Sequence, residues 1–235
     1  MPPLGLVSGA TISGGGTSTW SVRRTGPSDA KAETLYTSER ELNHLVKAGD
    51  SLFFQRDETA EKPLPPHAKK PIFEERTWSL YSLAASGGTP SLRAASVSPT
   101  AIATDGANVY YTATVEAKPD PHFPKTALFR LPAGPTGSPE VVDEWVIESN
   151  FGASYGGDSF VLYIHAWGKV SQAGIPSDLT RLLYLGKRAQ GRGRRVCVAE
   201  GSNAHAFAVV GSTLPYASQP SDGSGAQGIV KYVLP

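Results

Sequence analysis

The chain has 235 residues, 40% of them hydrophobic and 18% charged, with a formal net charge of +1. That length holds one large all-β domain or two small ones, and buries a core without covalent staples. Near-neutrality excludes the electrostatic footprint of a general nucleic-acid or anionic-membrane binder. The single cysteine, Cys197, excludes an internal disulfide framework and any cysteine-rich zinc module.

Glycine (25) and proline (19) make up about a fifth of the residues, high for a helical protein and short of low complexity. No stretch approaches the ~20 consecutive apolar residues of a membrane span. The opening run Met1-Pro2-Pro3-Leu4-Gly5-Leu6-Val7 lacks a basic start and a long apolar stretch, so no signal peptide is expected.

In chain order, Leu6 to Ile12 reads as a degenerate second strand, or as a strand that pairs with the last unit. Trp20-Ser21-Val22-Arg23 and Glu33-Thr34-Leu35-Tyr36 follow as strand-like runs. Ser38-Glu39-Arg40-Glu41 has the form of a helix capping box, but the repeat described next predicts a strand there. The first full unit runs from Leu45-Val46 through the turn Ala48-Gly49-Asp50-Ser51 to Leu52-Phe53-Phe54. It continues with Trp78-Ser79-Leu80-Tyr81-Ser82-Leu83, a Ser86-Gly87-Gly88-Thr89-Pro90 turn, and Ser91-Leu92-Arg93.

The second unit repeats this order. Ile102-Ala103, Asp105-Gly106-Ala107-Asn108 and Val109-Tyr110-Tyr111-Thr112 lead to Ala127-Leu128-Phe129-Arg130-Leu131 and Glu140-Val141-Val142. In the third, Ala153-Ser154, Gly156-Gly157-Asp158-Ser159 and Phe160-Val161-Leu162-Tyr163-Ile164 precede Arg181-Leu182-Leu183-Tyr184-Leu185 and Arg195-Val196-Cys197-Val198. The last has Phe207-Ala208, Val210-Gly211-Ser212-Thr213, Leu214-Pro215-Tyr216 and Ile229-Val230-Lys231-Tyr232-Val233.

The turn glycines Gly49, Gly106, Gly157 and Gly211 are spaced by 57, 51 and 54 residues. Glycine turns between apolar runs signal tight hairpins, because the turn needs φ > 0. Four strands per unit at roughly 50 residues is the pattern of a propeller blade. A two-sheet sandwich also needs many short strands, yet gives no reason for one grammar to recur. The expected fold is therefore all-β, a single β-propeller of five blades with three to four antiparallel strands each. Its approximate units are 1–40, 41–96, 97–145, 146–201 and 202–235, and a fragment of a larger propeller is the alternative.

The segment Ile102-Ala103-Thr104-Asp105-Gly106-Ala107-Asn108-Val109-Tyr110-Tyr111-Thr112, with Leu128-Phe129-Arg130-Leu131-Pro132-Ala133-Gly134, resembles a blade of the bacterial TolB-like/YncE-like propeller repeats. The Ser-Gly-Gly-Thr-Pro turn after Leu80 resembles the outer turn of the same repeat. Pro215 departs from it, standing where an aromatic is expected. The resemblance implies a propeller in a secreted or cell-envelope setting and carries no catalytic residue over.

Loop lengths point to a functional face. The connections at 57–77, 115–125, 168–179 and 219–228 are long, while the inner hairpin turns are short. Long loops on a rigid scaffold usually carry binding, although long surface loops are also cheap in closure entropy. The loop candidates are His67 and Phe73 among the prolines of the first connection, His122 and Phe123 in the second, and Trp167 beside the third. Phe73 and Phe123 would equally serve to pin their own loops. His44 and His205 fall at the starts of first strands, near the axial channel of a propeller, where ordinary hydrogen-bonded histidines are the simpler reading.

Gly152-Ala153-Ser154-Tyr155-Gly156 matches the nucleophile-elbow string, but a strand follows it where that motif needs a helix. The basic run from Lys187 to Arg195 lacks interleaved aromatics and reads as a solvated loop. The expected function is a non-enzymatic module that recognises a protein or glycan through the long-loop face, with no catalytic residue, cofactor, metal or nucleic acid. The alternatives are a propeller lyase or hydrolase using an axial pocket, with His44, His205 or Ser154, and a structural subunit of a larger assembly.

Overall fold

The computed structural model describes residues 5–13, 17–25, 32–60, 76–100, 102–116, 125–144, 146–155, 158–167, 179–186, 195–200, 213–218 and 228–233. Every regular element among them is a β-strand, and the fold is all-β and propeller-like. Two compact units divide the chain, Met1–Pro99 and Thr100–Pro235.

The first unit begins with β1 (Gly5–Ser13), β2 (Thr17–Thr25) and β3 (Glu33–Ser38), an antiparallel meander in that order. Leu6 and Ile12 thus pair with Arg24 and Ser18 of the same sheet, which makes this run a second strand, as the first of the two sequence readings has it. Next come β4 (Leu42–Ala48), β5 (Ser51–Asp57), β6 (Trp78–Ala84) and β7 (Ser91–Val97), each antiparallel to the one before. The capping-box segment makes no helix: the Ser38 hydroxyl accepts the Arg40 N–H at 2.9 Å, a local turn, and β4 starts two residues later.

In the second unit β8 (Ala103–Thr104), β9 (Asn108–Glu116), β10 (Lys125–Pro132) and β11 (Glu140–Glu144) form one meander. β12 (Val146–Tyr155), β13 (Asp158–Trp167), β14 (Leu179–Gly186) and β15 (Arg195–Glu200) form another. A hairpin of β16 (Thr213–Ser218) and β17 (Gly228–Val233) ends the described residues.

Turn chemistry and burial explain the repeat. Gly49 and Gly106 take φ values of +55° and +87°, which the hairpins require. Beside Gly106, the Asp105 carboxylate accepts the Ala107 and Asn108 N–H groups at 2.9 and 2.7 Å, the Asn108 amide at 2.9 Å and the Tyr110 hydroxyl at 2.9 Å. Desolvation alone would raise this carboxyl, but those donors outweigh it and hold it below the usual carboxylate range.

The second strand of a blade is the most enclosed. Leu52, Phe53, Phe54 and Gln55 are consecutive and all buried, the continuous pattern of a strand covered on both faces. Two outer strands are more open, with β7 exposing Leu92 and β11 exposing Val141. In the first unit Val22 and Leu35 of one sheet pack with Leu42, Leu52, Phe54, Tyr81 and Leu83 of the next, so sheet lies on sheet as blade on blade.

The same pair locks two blades. Phe54 stacks on Tyr81 and Tyr111 on Phe129, with ring centroids 6.1 and 5.4 Å apart. Each first partner stands five residues past its turn glycine. Leu162, at the same offset from Gly157, is the register partner of Tyr184 in the third complete unit.

Candidate functional site

His67, Phe73, His122, Phe123 and His205 lie outside the described residues. Trp167 is the last residue of β13, opposite Leu179, at the mouth of the third long connection. His44 belongs to β4, in the other unit. Ser154 pairs with Ser159 across an antiparallel hairpin, the strand-to-strand setting expected from the sequence and unsuited to a nucleophile elbow.

His44 occupies an irregular place in its strand. Asn43 faces Gln55 and Val46 faces Phe53, so His44 and Leu45 together oppose Phe54. An extra residue of this kind bends a strand and re-aims a side chain. His44 has a φ of +48°, a region that non-glycine residues enter seldom, with histidine among the more tolerant. The Asn43 side-chain oxygen accepts the His44 backbone N–H at 3.0 Å.

The half-buried imidazole is pushed below its ordinary pKa by desolvation, which outweighs the opposing hydrogen bond to the Pro99 carbonyl. A neutral ring that donates one N–H to a carbonyl keeps a lone pair on its other nitrogen. Gln55 donates its amide to the neighbouring Ser98 carbonyl at 2.9 Å. Two side chains from adjacent strands thus hold the backbone at 98–99.

A second polar cluster, its members scattered in sequence, stands where the longest connection leaves the sheet. Asp57 ends β5 and Trp78 opens β6 as its register partner. The Glu58 N–H donates to the Thr77 carbonyl at 2.6 Å, and the Asp57 N–H to the Glu41 carbonyl at 2.9 Å. Arg56 donates to Glu58 Oε1 at 2.5 Å, to the Tyr36 hydroxyl at 3.0 Å and to the Tyr81 hydroxyl at 2.6 Å. Tyr81 in turn donates to Glu58 Oε1 at 2.8 Å.

Burial alone would lower the Arg56 guanidinium, but its bonds to Glu58 and Tyr36 outweigh this and hold it above its ordinary value. Burial, with the Glu58 carboxylate, raises the Tyr81 phenol. Around this core Arg76 pairs with Glu41 at 2.5 Å and approaches Asp57 at 3.7 Å, and Arg40 lies 3.4 Å from Glu58. Thr59 accepts the Thr77 N–H at 2.9 Å and donates to Asp57. Three arginines face three carboxylates. The cluster is balanced, and it closes the base of the loop on itself.

Among the described residues no group of three or more His, Cys, Asp or Glu side chains is placed to hold a metal ion. No helix among them is long and apolar enough to cross a membrane.

No family model and no curated protein matches this sequence. Solved structures do. An oligogalacturonate lyase in complex with manganese is similar over 93% of this chain and 55% of its own, at 10% identity and a TM-score of 0.51. A Synechocystis apocarotenoid oxygenase mutant is similar over 91% and 53%, at 10% identity and 0.45. A Mycobacterium tuberculosis puromycin-hydrolyzing peptidase is similar over 96% and 43%, at 9% identity and 0.42. The chain spans about half the length of the structures it is similar to. These are propeller-like enzymes, and at such identity the likeness is one of fold.

Proposed function

We propose that this chain is part of a propeller enzyme, a lyase or hydrolase, in which His44 accepts a proton at the bulge in the first strand of its blade. The observation that carries the reading is the conformation of His44. A residue held at φ +48° in a strand bulge stores strain of about 1 kcal/mol or more, and such strain gathers at functional sites. Its ring is uncharged at neutral pH and anchored through one nitrogen to Pro99, the state a general base requires.

The likeness to an oligogalacturonate lyase supports an acidic oligosaccharide as first substrate class. In an elimination the C–H bond next to the uronate carboxylate would break, with its proton passing to His44. The electron pair would form a carbon–carbon double bond, and the glycosidic oxygen would leave and take a proton from water. Incubation with oligogalacturonate, with and without added manganese, reads the unsaturated product by its ultraviolet absorbance. His44→Gln is expected to lower the rate about 10²–10⁴-fold with an unchanged circular dichroism spectrum. An inactive native chain on this and on a panel of hydrolase substrates, or an unaffected variant, would overturn the assignment.

A second reading, recognition of a protein or glycan by the long loops without catalysis, is favoured by the Arg56–Glu58 cluster. A clamped base fixes the ends from which the connection leaves, which lowers the entropy cost of binding. Removing 61–75 while keeping Glu58, Thr59, Arg76 and Thr77 would abolish binding on a glycan array or in a pull-down under this reading, and leave the His44-dependent rate intact. As part of the same proposal, the 235 residues form one domain of five repeat units in a secreted or cell-envelope protein.

A further inference from the structure

Consecutive residues carry the chain back across its sheet after β7. Val97 is the register partner of Trp78 in β6, the Ser98 carbonyl accepts the Gln55 amide of β5 at 2.9 Å, and the Pro99 carbonyl accepts the ring N–H of His44 in β4. The crossing starts at a strained residue. Ala95 and Ser96 together oppose Ser79, and Ser96 has a φ of +54°. Ser96 and His44 are the two non-glycine residues with positive φ among those described, and they stand at the two ends of this strap. Gln55 lies between them, fully buried after Leu52, Phe53 and Phe54. It is also the register partner of Asn43, whose side chain accepts the His44 backbone N–H.

We infer that Gln55 is a positioning residue for His44, holding the Pro99 carbonyl against the imidazole by way of the Ser98–Pro99 peptide. Its catalytic meaning rests on the role proposed above for His44, while the contact itself is testable without turnover. The Ser98 carbonyl belongs to the planar unit that ends at the Pro99 nitrogen, so the Gln55 bond fixes the orientation of that plane. The proline ring locks φ of Pro99 at about −65°. Only ψ of Pro99 is then left to aim its carbonyl, and the His44 N–H takes that carbonyl up. A ring nitrogen tied in this way keeps its proton, and the lone pair stays on the other nitrogen. Methionine would fill the same buried place without the cost of desolvating an amide. What the amide adds is a donor, which the neighbouring side chains of Leu52, Phe53 and Phe54 cannot supply.

Proton NMR of the full 235-residue chain reads the contact through the His44 ring N–H, identified as the signal lost in His44→Gln. In the native chain this proton is expected to exchange slowly with water. Gln55→Met is expected to speed its exchange about tenfold, the scale of one lost hydrogen bond. Pro99→Gly, which keeps both carbonyls and frees φ, is expected to speed it as well. Gly87→Ala strains an outer turn of the same unit and is expected to leave the signal as in the native chain, which separates positioning from general loosening. A native chain without the slowed signal would overturn the inference. So would unchanged exchange in Gln55→Met or Pro99→Gly, or equal acceleration in Gly87→Ala. Turnover separates this from the functional reading. On oligogalacturonate, Gln55→Met is expected to lower kcat with KM held. A Gln55-dependent signal in an inactive chain sinks the role of His44 as proton acceptor and leaves the contact standing. A His44-dependent rate that Gln55→Met leaves intact sinks the positioning alone.

Discussion

Tyr81 stacks its ring on Phe54 of the neighbouring strand, centroids 6.1 Å apart and planes 15° from parallel, while its hydroxyl accepts from Arg56 and donates to Glu58. One side chain thus ties the blade interior to the base of the longest connection. The two roles separate by substitution. Tyr81→Phe keeps the stack and leaves Arg56 one acceptor short, at a cost of about 1–2 kcal/mol. Tyr81→Ala also removes the buried ring, at about 3–5 kcal/mol. Urea denaturation of the two variants checks the ranking. Equal losses would show that the ring contributes nothing.

The outer turn of the same blade rests on the sheet before it. Gly87 has φ +88°, and a Cβ built there would lie 3.3 Å from the Leu35 carbonyl oxygen in β3. That neighbour is backbone and yields little. Gly87→Ala therefore combines left-handed strain with crowding, an expected loss of about 1–3 kcal/mol. At Gly49, with φ +55°, asparagine is tolerated in the left-handed region, and Gly49→Asn is expected to cost under about 1 kcal/mol. Thermal unfolding of both variants under one buffer reads the difference.

Asp105 makes a third test. It is 7% exposed and accepts from four donors around the β8–β9 turn. Asp105→Ala strands all four, two backbone N–H groups among them, and is expected to cost about 3 kcal/mol or more. Because its folded pKa is depressed, the carboxylate contributes stability above its unfolded value of 3.8. That contribution is lost as pH falls through the lower folded value. The gap between native chain and Asp105→Ala should therefore narrow in strong acid, as chemical denaturation at a series of pH values would show.

Much of this was legible in the residue string. The runs after Gly49 and Gly106 are strands because aromatic and β-branched residues fit a doubly covered sheet, and their turn glycines fix the register that sets Phe54 on Tyr81 and Tyr111 on Phe129. The loop-base cluster was not legible. Tyr36, Arg56 and Tyr81 come from three strands, 20 and 25 residues apart, and meet only once one sheet packs on another. Asp57 and Glu58 were visible as adjacent carboxylates, but nothing local says that arginines will neutralise them. The irregular place of His44 was also hidden, since a bulge is a count of residues against a partner strand. The one local hint was Asn43, whose side chain competes for nearby backbone donors.

His44 gives the last prediction, and its sign follows from linkage. In the unfolded chain the imidazole titrates near 6.5; in the folded chain burial holds it lower. Between those values the unfolded state binds a proton that the folded state does not, so stability falls as pH drops through 6.5 and levels off below the folded value. His44→Asn removes the titration while keeping a side chain that accepts a positive φ. The stability difference between native chain and variant, measured by urea denaturation between pH 7.5 and pH 4.5 (on the order of three units, spanning the histidine range), should shift against the native chain on acidification. The other histidines, common to both proteins, cancel in the comparison. A difference independent of pH would mean that His44 is solvated and titrates normally, and the case for an uncharged, strained imidazole in the first strand would fall with it.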